Sequence, residues 1–253
     1  MAKSVIAAQM YTVREFLKTP QGIAESLAKL RALGYEAVQL SGLGPIDTKE
    51  LAKMLQGEGL TAAATHVAWD RLQKEPEAVI EEHKILGCRH VAVGSMPASY
   101  RNEEGIKQFA KEASAVAARL AQEGLTFSYH NHSFEFERFG DRTMMQILLD
   151  ESDAALGFEI DTYWVQHGGG DPAAWIRKVK GRIPIVHFKD MTMRGREQLM
   201  AEVGEGNLNW PAIIEACREA GVEWYCIEQD TCQRDPFESL GISLRNLRAM
   251  GLS

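Results

Sequence analysis

The recurring unit along the chain is an amphipathic stretch that ends at a glycine and is followed at once by a short apolar run. It appears as LRALGYEAVQL, MLQGEGLTAAATH, HKILGCRHVAVG, LAQEGLTFSYHNH and REAGVEWYCIEQ, with Gly34, Gly59, Gly87, Gly124 and Gly221 at the joints. Each glycine suits the position just past a helix end, where a left-handed backbone costs glycine little. The runs that follow are rich in Val, Ile, Ala and aromatics, as expected of strands buried on both faces. Reading the rest with this key predicts eight strands, near residues 4–9, 36–40, 61–66, 90–94, 125–131, 156–161, 184–188 and 223–228. Between them, segments such as IAESLAKLRAL and WPAIIEACREA place apolar side chains at i, i+3, i+4 and i+7 of a helix.

Strict strand–helix alternation predicts a parallel sheet. Eight units without a linker or low-complexity break favour closure into a single α/β domain, a (β/α)₈ TIM barrel spanning residues 1–253, over a doubly wound open sheet. The longest stretch outside the pattern, Asp190 to Asn209, is expected as an irregular loop over the barrel mouth.

Charge and composition narrow the function classes. With 35 acidic against 28 basic residues the net charge is −7, which argues against a surface that neutralises a polynucleotide backbone. The first residues show neither a signal peptide nor an apolar run of membrane length, so no membrane partner is expected. Four cysteines without a CxxC pair suit a reducing cytoplasm. A homo-oligomer is compatible with all of this.

In such a barrel, active sites form at the C-terminal ends of the strands. There stand Gln9, Tyr11, Gln39, His66, the run His130–Asn131–His132 followed by Glu135, then Asp161, His187, Lys189, Glu228 and Asp230. Carboxylates rarely occupy buried strands unless paired or bound to metal, yet GFEIDTYW and YCIEQD carry them. Imidazoles mixed with carboxylates suit a borderline divalent cation such as Mn²⁺, Co²⁺ or Zn²⁺. Singly, each residue has a plain structural reading: a loop hydrogen bond for a histidine, a turn cap for Asp161, an arginine partner for Glu228. The succession over strands five to eight is what packing does not explain. Strand parity puts His130 with His132, His187 with Lys189, and Cys226 with Glu228 and Asp230. Glu159 shares the parity of Asp161 one layer deeper and is expected to pair with a buried base. The GGG run at Gly168 to Gly170 and the loop GEGNLNW read as structural, with Asp171 and Asn209 capping the next helices. Trp69, Tyr100, Phe134, Phe136, Tyr163 and Trp164 fall near the mouth, either to stack on sugar faces or to fill space. No Ser-His-Asp signature, P-loop or GxGxxG is present.

Together the segments YHNHSFEF, GFEIDTYW, IVHFKD and YCIEQD resemble the xylose isomerase-like barrel superfamily. That group includes sugar phosphate isomerases/epimerases, ketose 3-epimerases, inosose dehydratases, hydroxypyruvate isomerases, dehydroshikimate dehydratases and a class of abasic-site endonucleases. The resemblance implies one divalent ion (Mn²⁺, Co²⁺, Mg²⁺ or Zn²⁺) held by Glu, Asp, His and Glu from strands five to eight. The last three fall on Asp161, His187 and Glu228. Where the first carboxylate is expected, this chain has His130. Either His130 replaces it, or Glu135 reaches back, or three ligands hold the ion. Trp164 stands where a second-metal histidine of the endonucleases would be, which favours a small substrate.

The resemblance further implies an isomerase or epimerase acting on a ketose, keto-sugar or cyclitol through a metal-stabilised enediolate. The base is His132 or Glu135, with Glu228 assisting while still a ligand. His66, Lys189, Trp164 and Gln39 are assigned to the substrate. The alternatives are a dehydratase of a keto-inositol or 3-keto-glycoside on the same site, or a non-catalytic barrel that binds a sugar or a partner protein.

Overall fold

The computed structural model describes residues 5–252. Eight parallel strands form its wall: β1 (Val5–Gln9), β2 (Ala37–Leu40), β3 (Thr61–His66), β4 (His90–Val93), β5 (Thr126–His130), β6 (Leu156–Asp161), β7 (Ile185–Phe188) and β8 (Trp224–Ile227). Each pairs with the next, and β8 returns to β1 to close the barrel. Every strand read from the apolar runs is present at its expected place. Among the described residues no helix is long and apolar enough to cross a membrane.

The joints behave as the sequence pattern requires. Gly34, Gly59, Gly87 and Gly221 end their helices in the left-handed conformation, and Gly124 also has positive φ. Asp171 and Asn209 accept hydrogen bonds from the amides of Ala174 and Ala212, so both are helix caps. The GGG run is likewise structural: a Cβ at Gly168 or Gly170 would lie 2.6 Å from the ring of Phe136.

Strand alternation sorts the side chains into two environments. Outward-facing Val38, Val91, Phe127, Phe158, Val186 and Phe188 join helix residues such as Leu27, Ile80, Phe109 and Leu148 in one continuous core. Inside the barrel, small side chains (Ala7, Ala37, Ala64 and Cys226, with Ile185) form a separate cluster. Two residues further along the same parity stand Gln9, Gln39, His66, His187 and Glu228. Small residues in the lower layer leave volume that these longer polar side chains fill from above. The barrel interior thus becomes polar toward its C-terminal end.

One expectation is corrected. The stretch after β7 is not irregular throughout: Asp190–Arg194 and Glu197–Ala201 pair as an antiparallel hairpin turning at Gly195 and Arg196. Beyond it the chain wraps the buried carboxylate of Asp190. That carboxylate accepts hydrogen bonds from the amides of Met191 (2.8 Å), Gly204 (2.9 Å), Gly206 (3.1 Å) and Leu208 (3.2 Å), and from Trp210 Nε1 (2.6 Å). A buried donor left without its acceptor costs more than a typical hydrogen bond contributes, so this group is the knot of the segment. Asp190→Ala should therefore lower unfolding free energy by about 3 kcal/mol or more. Asp190→Asn, which keeps one acceptor oxygen, should fall between it and wild type. Urea denaturation checks this, and an unshifted midpoint for the alanine variant would show that the loop is held by other contacts.

Candidate metal centre and substrate pocket

Four side chains from consecutive strands converge at the top of the barrel: His130 at the end of β5, Asp161 at the end of β6, His187 in β7 and Glu228 just past β8. One ligand-type atom from each lies within 4.8 Å of all the others. The ladder makes this local. Asp161 and His187 are register partners, and the amide of Glu228 donates to the Phe188 carbonyl.

The proton positions on the two imidazoles decide whether the set suits a cation. His130 Nδ1 lies 3.0 Å from the Gly94 carbonyl, which can only accept, so Nδ1 carries the hydrogen and Nε2 turns to Asp161 Oδ2 at 3.2 Å. His187 Nε2 faces two acceptors, Gln39 Oε1 at 2.8 Å and Glu159 Oε1 at 3.2 Å. Its other nitrogen, Nδ1, lies 2.8 Å from Glu228 Oε2 and 3.8 Å from Asp161 Oδ2. Both His187 Nδ1 and Glu228 Oε2 are buried without an aligned hydrogen bond. An acceptor holding one ring nitrogen while the other is presented inward is the usual arrangement around metal-ligating histidines. Burial alone would discharge His187, but the carboxylates of Glu159 and Glu228 outweigh it and push its pKa up to about 10. A divalent ion at Nδ1 would take the place of that proton. The residues present fit a borderline dication.

Lys189 completes the charge pattern. Its ammonium is fully buried, 3.0 Å from Asp161 Oδ2, 2.8 Å from Glu228 Oε2 and 2.8 Å from Asp230 Oδ2. Burial opposes its charge, yet these carboxylates hold its pKa well above the usual lysine range. Counting Glu159, carboxylates outnumber the ammonium four to one, so the centre keeps the negative charge that a dication would need.

Next to this cluster is a cavity of about 560 Å³, lined among others by Tyr11, Arg14, His66, Trp69, His132 and Trp164, with His130 and Glu228 at its base. The size is that of a small-molecule site. His132 stands with its ring 4.9 Å from that of His130, between Phe134 and Trp164. Burial, followed by the charges of His130 and Lys189, pushes its pKa down to about 3, so the ring is neutral at physiological pH.

Of the residues read from the sequence, His130, Asp161, His187 and Glu228 come together, and His66, His132 and Trp164 reach the cavity. Three of the residues assigned to catalysis or to the substrate, Glu135, Gln39 and Lys189, do not line it. Glu135 is turned away: its Oε1 lies 2.5 Å from the hydroxyl of Tyr129, whose parity is outward, and its Oε2 accepts the His132 amide at 2.9 Å. Burial raises its pKa to about 7, but its oxygens are spent on shaping the loop. Gln39 is fully buried and bridges Glu159 and His187, and Lys189 is enclosed by carboxylates. Asp161 takes both of its readings at once. Oδ1 caps the following helix through the Trp164 amide at 2.9 Å, while Oδ2 faces His130 and Lys189. Sequence reading missed Arg14. Its guanidinium is tied to the backbone carbonyls of Tyr11 and Asp230 at the rim, and an arginine one turn past β1 carries no motif that would announce it.

The rhizopine catabolism protein MocC of Rhizobium meliloti is 24% identical, over 90% of this chain and 81% of its own length. An inosose dehydratase of Lacticaseibacillus casei is 20% identical over 85% of each. A solved structure of a sugar phosphate isomerase/epimerase from Parabacteroides distasonis superimposes with a TM-score of 0.80 at 24% identity, covering 98% of this chain and 94% of that one. Residues 27–250 match the family model described as xylose isomerase-like TIM barrel, and the chain belongs to that family.

Proposed function

We propose that the protein is a divalent-metal-dependent isomerase or epimerase of a ketose, keto-sugar or cyclitol, working by C–H proton abstraction through an enediolate. The observation that carries this reading is the pair His130 and His187. Each has one nitrogen hydrogen-bonded away and the other turned toward Asp161 and Glu228, beside a cavity of monosaccharide or glycoside size. When bound, a divalent ion supplies positive charge that stabilises the enediolate oxygens and so acidifies the neighbouring C–H.

The chain's own groups provide the rest. His132 presents a neutral imidazole beside the ligands, the form a general base requires. Glu228 is ionised, because Lys189 and His187 outweigh the burial that would otherwise protonate it, which leaves it in the proton-accepting form beside the cavity. Trp69 and Trp164 line the cavity and offer flat faces to sugar C–H surfaces. Returning the proton to the same carbon from the other face gives epimerisation. Returning it to the neighbouring carbon gives isomerisation.

A second reading, dehydration of a keto-inositol, shares the first step and ends in loss of a β-hydroxyl. The inosose dehydratases among the similar proteins favour it. Both readings take a small molecule rather than a nucleic acid.

Two outcomes follow. Asp161→Ala and His187→Ala should each strip most of the divalent ion from protein purified with Mn²⁺, read by elemental analysis. Full metal content in both would remove the centre. His132→Ala should keep the ion and the fold but slow turnover of the best substrate by roughly 10² or more, the scale of a positioned general base. A near-normal rate would take that role from His132.

A further inference from the structure

One imidazole in the cavity lies outside the four-residue cluster and is nevertheless held as firmly as a ligand. His66 ends β3 with its side chain 14% exposed, and its Nε2 lies 2.6 Å from Glu159 Oε2. A carboxylate only accepts, so Nε2 carries the hydrogen, and in the neutral ring Nδ1 keeps its lone pair. Glu159 is itself fixed. It is fully buried in β6, and its other oxygen accepts from Gln39 Nε2 at 2.7 Å. Nδ1 of His66 has no strong partner; Ser41 Oγ is 3.5 Å away. Its space is kept open by Gly94, where a Cβ would come within 2.9 Å of that nitrogen. The His66 ring lies 5.3 Å from His130, and the His132 ring lies 4.9 Å from His130, so two non-ligand imidazoles flank one ligand.

An imidazole with a buried carboxylate on one nitrogen and an open lone pair on the other is the arrangement of a general base and its orienting group. We infer that His66 and Glu159 form an imidazole–carboxylate dyad in which His66 Nδ1 is a second proton carrier for the substrate and Glu159 is its positioning residue. The inference rests on the proton-transfer reading of the site. In the step, the substrate C–H bond breaks and an N–H bond forms at Nδ1. The C–H electron pair becomes the new carbon–carbon π bond, and the carbonyl pair moves onto its oxygen. The imidazolium then returns a proton, to carbon in isomerisation or epimerisation, or to a departing hydroxyl that leaves as water in dehydration. With Glu135 turned out of the cavity, this dyad supplies the second acid–base group that such a sequence needs.

The test is solvent exchange. Wild-type protein loaded with Mn²⁺ is incubated in D₂O with 2-keto-myo-inositol and with a set of ketohexoses, and deuterium entering recovered substrate or product is followed by proton NMR. Wild type should exchange one carbon-bound hydrogen in at least one probe. His66→Ala should keep its metal and lose exchange by roughly 10² or more, with partial recovery on adding free imidazole. Glu159→Gln, assayed at Mn²⁺ concentrations that saturate the variant because the same carboxylate also faces His187 Nε2, should lower kcat with KM unchanged. Gly94→Ala should slow wild type strongly yet add nothing in the His66→Ala background, because both changes remove the same nitrogen; a cost that persists there would mean that Gly94 acts through His130 instead. Wild type exchanging no probe would overturn the proton-transfer reading and the dyad with it. Wild type exchanging while His66→Ala exchanges equally would overturn the dyad alone.

Discussion

A carboxylate at the centre of a protein has to be compensated, and Glu159 is the one around which this barrel is arranged. It has no exposed surface, and its oxygens are met by Gln39 from β2, His66 from β3 and His187 from β7. Burial works against its charge, but His187 and His66 outweigh it and hold its pKa well below the usual range. Breaking such a buried set is costly, because the remaining charge is left without a partner. The same contacts set the orientation of two imidazoles. By taking the hydrogen on His187 Nε2 and on His66 Nε2, Glu159 determines that Nδ1 of one ring faces the ligand cluster and Nδ1 of the other faces the cavity. Stability and chemistry here are one network of hydrogen bonds rather than two.

The ammonium of Lys189 plays the complementary part. Asp161, Glu228 and Asp230 crowd within 3.0 Å of it, and without a cation between them three carboxylates would repel one another in a low dielectric. Lys189 is fixed by β7 two residues past His187, so the neutralising charge is built into the same strand as a ligand. Because it balances only part of the negative charge, room for a dication remains. Having His130 where relatives are expected to carry a carboxylate fits this balance. The Gly94 carbonyl orients the ring without adding charge, and the surplus that remains comes from Asp161 and Glu228.

Most of this frame was legible in the sequence for identifiable reasons. Strands buried on both faces and bounded by helix-ending glycines leave a pattern that tertiary contacts do not blur. Position at strand ends placed His130, Asp161, His187 and Glu228 in one layer among other polar residues, and the family resemblance singled them out as a set. Parity does not give depth, however. Gln39 and Lys189 point the correct way, but each is claimed by a buried ionised partner before it can reach the cavity. Glu135 lies past the end of β5, where alternation no longer applies, and the outward hydroxyl of Tyr129 decides its direction. The hairpin after β7 was hidden by length: Asp190–Arg194 and Glu197–Ala201 are short, partly exposed and methionine-rich, and only Gly195 between them marks a turn.

The dyad itself depends on an irregularity that no alternation rule predicts. Along β2 and β3, Ala37 pairs with Thr61 and Val38 with Ala62, but Gln39 pairs with Ala64, so Ala63 is an extra residue. Such a bulge re-aims every side chain after it. In an uninterrupted ladder Gln39 would face Ala63, and Ala64 and His66 would point outward among the helices. The observed packing shows the switch directly. Ala62 belongs to the outer core, whereas Ala63 and Ala64 both join the inner cluster. Only with this shift does His66 turn inward at the level of Glu159, 2.6 Å from its carboxylate. Alanine at both Ala63 and Ala64 is what permits it, since two consecutive larger side chains could not both enter the narrow lower barrel beside Ala7, Ala37 and Cys226. The run of small residues in TAAATH is thus the local cause of a histidine at the cavity wall, and through it of the second proton carrier inferred there.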